Sequence, residues 1–135
     1  GCACRAGGRY VRPRLAPRRR SGPKYSNGLS RVAGGSSSEP GAVALAARGA
    51  ARAGSGYVVC LAPGSIRNLL LEKLDEIPVE GWEEEPDQSD VAELIARLGS
   101  RWMKARALLV GPGLGRTQAA STITSSCLKI SRDLP

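Results

Sequence analysis

The sequence predicts an α/β domain with a mainly parallel sheet. Three observations lead there. Short apolar runs alternate with helix-forming stretches. Residues 40–59, PGAVALAARGAARAGSGYVV, read as a helix, a glycine-bounded turn and a strand. Two strand-like runs each end in a glycine-rich turn that opens a helix, GGSSS at 34–38 and GPGLG at 111–115. With 135 residues the chain is long enough for one domain with a modest core, or for a piece of a larger one.

Leu29 to Ala33 is a short apolar run, interrupted by Ser30 and Arg31 and read as a strand mainly because a glycine turn and a helix come directly after it. The next helix is rich in Ala, the best helix former, and starts at Pro40, whose missing N–H is harmless in a first turn. Ser38 is its expected N-cap, Glu39 suits the positive end of the helix dipole, and Gly54 is expected to end it in a left-handed conformation. Tyr57 to Leu61 reads as a buried strand, parallel to the first through a right-handed crossover. Residues 62–65 are expected to turn, with Ser65 capping a helix from Ile66 to about Leu74.

Ile77–Glu80 is expected as a short edge strand, since Pro78 would cost a ladder bond in a central one. Trp82 to Gln88 reads as an acidic loop, a solvated connection or a metal site. Ser89 or Asp90 is expected to cap the following helix, with Asp90 and Glu93 at capping-box spacing. Val91, Leu94, Ile95, Leu98 and Trp102 recur at three- and four-residue intervals, which gives a packed face. Ala107 to Val110 is a strand-length apolar run, and Arg116 and Thr117 open a last helix.

The net charge of +8 is unevenly distributed. Residues 1–38 hold nine basic residues and no acidic one, whereas the remainder holds eleven basic and twelve acidic. The excess therefore sits in a Gly/Pro/Arg-rich leader, residues 1–23, expected to be disordered or a linker. A basic arm binding nucleic acid by counterion release is the alternative, weakened by Tyr10 being the only aromatic there. The chain has no His, which excludes His-based triads and Cys/His zinc sites. Cys2 and Cys4 form one close pair with no second pair to complete a four-Cys site, and Cys60 reads as a small core residue. No apolar run approaches the ~20 residues needed to cross a bilayer, so the expectation is a soluble, cytoplasmic protein.

In a parallel sheet both glycine turns would lie at the carboxyl ends of strands, on one edge, where such folds place ligands. Either they form the floor of one cleft, or each serves only local turn geometry. No complete dinucleotide or P-loop fingerprint is present.

Four motifs carry a resemblance. Lys24-Tyr25-Ser26-x-Gly28, Gly34-Gly35-Ser36, Pro40-Gly41-Ala42 with its Ala-rich helix running to Tyr57, and Gly111-Pro112-Gly113-Leu114-Gly115-Arg116 together resemble the ADP/ATP-dependent NAD(P)H-hydrate dehydratase family. The match runs from Lys24 to Arg116. It implies an amino-terminal portion, residues 24–135, of a ribokinase-like three-layer α/β/α sandwich. It also implies a metabolite-repair lyase that uses ADP or ATP, with Mg2+, to phosphorylate the hydroxyl of hydrated NADH or NADPH and then eliminate phosphate.

By the same resemblance Ala42 and Gly113 line the hydrated-nicotinamide site, where a larger side chain would intrude on the ligand. Gly34, Gly35 and Lys24 belong to the same motifs. A fused or separate epimerase partner and a homo-oligomer are further implications. The family's Thr-Pro-His-Pro-Gly-Glu stretch and its Gly-Thr-Gly-Asp stretch, which supplies phosphate-binding amides and the catalytic Asp, do not occur in this sequence. No catalytic residue is therefore assigned, and the 135 residues alone are expected to be inactive. The alternatives are another ribokinase-like small-molecule kinase, or a non-catalytic nucleotide- or nucleic-acid-binding module.

Overall fold

The computed structural model describes residues 27–83, 86–98 and 105–131. Eight elements alternate: β1 (Leu29–Ala33), α1 (Pro40–Arg52), β2 (Tyr57–Pro63), α2 (Gly64–Lys73), β3 (Val79–Trp82), α3 (Gln88–Leu98), β4 (Ala105–Val110) and α4 (Gln118–Ser131). The four strands form one sheet in the order β3-β2-β1-β4, and every pairing is parallel. β1 is therefore interior, flanked by β2 with Leu29 opposite Tyr57 and by β4 with Ala33 opposite Val110.

Alternate residues of each strand face opposite sides of the sheet, and each side has its own apolar cluster. Val32, Val58, Cys60 and Ala62 meet Val43, Ala44 and Ala47 of α1 and Ile66 and Leu70 of α2. On the other side Ala33, Leu61 and Trp82 meet Val91 of α3 and Ala120, Ile123 and Cys127 of α4. The result is a three-layer α/β/α arrangement. Full burial of a residue such as Val43 or Leu70 contributes roughly 1.5–3 kcal/mol, so both helix layers are held mainly by apolar contact with the sheet.

The bounds of β1 and the start of α1 are as expected, and Gly54 follows the helix at φ +104°. Several local expectations are corrected. Ser36, not Ser38, serves the start of α1: its Oγ accepts the Glu39 N–H at 3.2 Å. No turn separates β2 from α2. Pro63, at φ −55° and ψ 143°, ends the strand and is itself the N-cap of a helix that begins at Gly64, so Ser65 lies inside the helix.

β3 is an edge strand, but shifted two residues along from the expected start, so Trp82 belongs to it and is buried rather than in a loop. Asp87 caps α3, ahead of the two expected residues. Its Oδ1 accepts from the N–H groups of Ser89 (2.6 Å) and Asp90 (2.9 Å), while Asp90 Oδ2 accepts from Asp87 N at 2.8 Å. Arg31, which made β1 look interrupted, is 1% exposed within it.

The leader, Cys2, Cys4, Lys24 and Trp102 lie outside the described residues, as do the side chains of Leu94, Ile95 and Leu98. Among the described residues no helix is long and apolar enough to cross a membrane.

Candidate functional site

The carboxyl ends of β1 and β4 are adjacent in a parallel sheet, so the two glycine turns that extend from them meet. The contact is made by backbone. Gly111 N donates to Ala33 O at 3.0 Å, and Gly35 N donates to Pro112 O at 2.7 Å. On its other side the β1 turn is held to β2 by Gly34 N donating to Leu61 O at 3.0 Å. The expected juxtaposition of the turns is present, and it takes the form of one hydrogen-bonded backbone unit.

Each glycine meets a separate steric demand. A Cβ on Gly34 would lie 2.3 Å from Pro112 O, a backbone atom that cannot swing aside. Gly35, at φ +86°, would place a Cβ 2.7 Å from Ile66 Cδ1 and 2.9 Å from Val43 Cγ1. Both residues are buried, so their smallness serves close packing between the two turns and the two helices α1 and α2.

Gly113 and Ala42 are brought together. Gly113 has φ +69°, and a Cβ there would fall 3.0 Å from Ala42 Cβ and 2.5 Å from Glu39 O. The second glycine turn thus rests directly on the first turn of α1, and Ala42 is half-buried at the seam. A larger side chain at Gly113 would strike the start of α1 before reaching anything beyond it. Beside the seam Ser36 and Ser38 place their hydroxyls 3.1 Å apart, both at the exposed start of α1. Lys24, the remaining expected site residue, lies outside the described residues.

Away from the seam, the second turn opens into a surface groove of about 400 Å³. It is bounded by Gly111, Leu114, Gly115 and Arg116, by Thr117 at the start of α4 and by the face of α4 that carries Ser121, Thr124 and Ser125. Thr117 Oγ1 accepts from Ala120 N at 3.2 Å and so caps α4. Sequence reading missed this hydroxyl-bearing face; the signal was there, since Thr117, Ser121, Thr124 and Ser125 recur at three- and four-residue spacing.

Two thiols are buried and inert. Burial pushes Cys60 up to about 12 and Cys127 up to about 11, far from a reactive thiolate at neutral pH. Among the described residues no group of three or more Cys, Asp or Glu side chains is placed to hold a metal ion.

Comparison with known proteins gives a consistent picture. A family model described as NAD(P)H-hydrate dehydratase matches residues 31–133. A bifunctional NAD(P)H-hydrate repair enzyme of Salinibacter ruber is 36% identical over 96 residues, covering 69% of this chain and 17% of that protein. Its counterpart in Moorella thermoacetica is 31% identical over 119 residues, covering 88% and 22%. The chain thus spans about a fifth of the length of these curated relatives.

Among solved structures, a ribokinase-like superfamily protein of Enterococcus faecalis superposes with a TM-score of 0.68 at 21% identity, over 85% of this chain and 37% of that one. The Bacillus subtilis ADP/ATP-dependent NAD(P)H-hydrate dehydratase, co-crystallized with ATP and Mg2+, superposes with a TM-score of 0.67 at 23% identity, over 92% and 42%. These likenesses establish a ribokinase-like fold.

Proposed function

The chain belongs to the NAD(P)H-hydrate dehydratase family, and from that premise we propose that it supplies the hydrated-nicotinamide side of a dehydratase site. The reaction is the repair of hydrated NADH or NADPH, in which ADP or ATP phosphorylates the ring hydroxyl and elimination of phosphate restores the cofactor. Ala42 and Gly113 form the floor against which the ring lies, and Gly34 and Gly35 fix that floor from beneath. Lys24 belongs to the same motif set and is assigned to the same ligand.

The observation that carries this reading is the seating of Gly113, in the turn after β4, on Ala42 in the first turn of α1. The smallness of both residues lets the turn and the helix start meet closely beside the carboxyl ends of β1 and β4, the edge at which such sheets place ligands.

The phosphate-binding amides and the general base are not among these 135 residues, since no Gly-Thr-Gly-Asp stretch occurs. In this reading nucleotide and Mg2+ are bound away from the two glycine turns. Residues 24–135 act as the domain portion, and residues 1–23 as a linker, with an epimerase unit as the fused or separate neighbour. The setting is cytoplasmic. Self-association is part of the same proposal and is read out by analytical ultracentrifugation.

The test is calorimetric titration of the 135-residue chain with hydrated NADPH, alongside a dehydration assay monitored by NADPH absorbance. The expected result is saturable binding without turnover. Turnover by this chain alone would overturn the division of the site, and absence of binding would overturn its assignment to the nicotinamide.

A further inference from the structure

We infer that the outer edge of β4 and the exposed face of α4 form an assembly surface, which takes a further parallel strand and its helix from a polypeptide completing a ribokinase-like domain. This goes beyond the dehydratase reading and stands without it, since it concerns the sheet and no ligand.

The order β3-β2-β1-β4 makes β4 an edge strand, and among the described residues nothing pairs with its outer side. One face of β4 is covered, because Leu108 and Val110 pack against the cluster to which α4 contributes. The other face is bare. Leu109 is level with Val32 and so points to the side of α1, but α1 packs on β1 and β2. Leu109 is accordingly 47% exposed, and Ala107 before it is exposed as well. Wholly parallel sheets are covered on both faces. Residues 107–110, ALLV, also hold no charge and no proline to block pairing at the edge.

The path of the chain says which strand belongs there. From β1 to β3 it steps one way across the sheet, with α1 and α2 on one face; α3 lies on the opposite face, and the chain steps back past β1 to β4. All these crossovers then share one hand, as parallel connections do. α4 lies on the same face as α3, so the same hand places the strand after α4 beyond β4 and not beside β3. Along α4, Ser121, Ser125 and Leu128 recur at four- and three-residue spacing on one exposed face, with Leu128 58% exposed, and the two serines line the groove beside the second turn. The chain covers only 37% and 42% of two solved structures of this fold. The occupant is therefore the remainder of such a domain, arriving parallel to β4. A second copy related by a two-fold axis would pair with β4 antiparallel.

The experiment co-expresses the tagged 135-residue chain with the stretch of the Moorella thermoacetica relative that follows its 119 matching residues. Wild type is compared with Leu109→Glu, Leu128→Glu and Leu45→Glu, the last adding the same charge at a 75% exposed position on α1. Wild type and Leu45→Glu should co-purify with the partner, and the amides of 105–110 should exchange more slowly in the complex than in the chain alone. Leu109→Glu and Leu128→Glu should recover roughly tenfold less complex or worse, since each buries an unpaired carboxylate at the contact. Thermal unfolding of each chain alone should stay close to wild type, as all three leucines are exposed. Absence of co-purification would overturn the inference, and so would equal recovery with Leu109→Glu and Leu128→Glu. A dimer of the 135-residue chain that excludes the partner and is lost in Leu109→Glu would make a second copy the occupant and overturn it too.

Discussion

The carbonyl oxygen of Pro112 accepts the amide proton of Gly35 at 2.7 Å, joining the turn after β1 to the turn after β4. Gly34, one residue earlier, has only 2.3 Å between the place of its missing Cβ and that same oxygen. One carbonyl therefore both holds and limits the approach of the two turns.

Gly34→Ala should separate them. The methyl group meets backbone on a buried turn, so neither partner can move without breaking the Gly35 hydrogen bond. The expected cost is about 3 kcal/mol, at the upper end of ordinary overpacking. Chemical denaturation measures it, and a cost within error of zero would mean that the turns are not rigidly joined.

Gly113→Ala should also destabilise, through its φ of +69° and the 2.5 Å approach to Glu39 O. Adding Ala42→Gly removes the 3.0 Å methyl contact but leaves the carbonyl in place. The double variant should hence recover less than half of the lost stability. Recovery close to wild type in a double-mutant cycle would show that the Ala42 methyl, not the Glu39 carbonyl, sets the limit.

Asp87 gives the start of α3 a pH dependence. Hydrogen bonds from the Ser89 side chain and from the Asp90 and Ser89 amides hold its carboxyl below the usual carboxylate range. The folded form thus binds its proton less readily than the unfolded form. The contribution is fully present above the unfolded value of about 3.9 and is lost as pH falls through the lower, folded value. Asp87→Asn keeps an acceptor at the cap without the charge, so its unfolding temperature should sit below wild type at neutral pH and converge with it in acid. Parallel curves in thermal melts across that range would count against the cap.

Cys60 and Cys127 titrate in the opposite sense. Burial raises both, to about 12 and about 11, so the unfolded chain ionises first, from about pH 8.5 upward. Stability should be constant with respect to these thiols below that pH and fall progressively toward the folded values. At pH 8 both should resist iodoacetamide in the folded chain and react once denaturant is added, as peptide mass mapping can record. Rapid labelling of either in the folded chain would contradict its burial.

Much of the architecture was legible because its signals are local. Pro40 and Gly54 bracket α1 by backbone chemistry that needs no tertiary partner, and Leu29, Val32 and Ala33 mark β1 as apolar although Arg31 is buried beside them. The misses have physical causes. Pro63 and Gly64 look like a turn, yet the proline angle suits an extended strand end and glycine is tolerated at the helix start, so β2 runs straight into α2. Asp87, Ser89 and Asp90 offer three caps within four residues, and the choice among them is made by which carboxylate reaches the free amides. Trp82 was hidden by its acidic neighbours, although its burial against Val91 and Leu61 gives β3 its last residue.

At the candidate site the sequence revealed the two turns but not what their glycines are for. Gly34 is small because of Pro112, Gly35 because of Ile66 and Val43, and Gly113 because of Glu39 and Ala42. Such partners are distant in the chain, so composition alone cannot tell a ligand-facing glycine from a packing one.

The strand order has a consequence for the route by which the chain folds. β1 finds β2 across a single helix, but it finds β4 only after every element between them has been made. Closing that larger loop costs more entropy, so the β1–β4 ladder should form after the β1–α1–β2 unit. In pulsed hydrogen exchange during refolding, the amides of 105–110 should gain protection later than those of 57–63. The seam between the turns then forms late, and a chain interrupted before β4 would hold a partly formed sheet with the turn after β1 left without its partner.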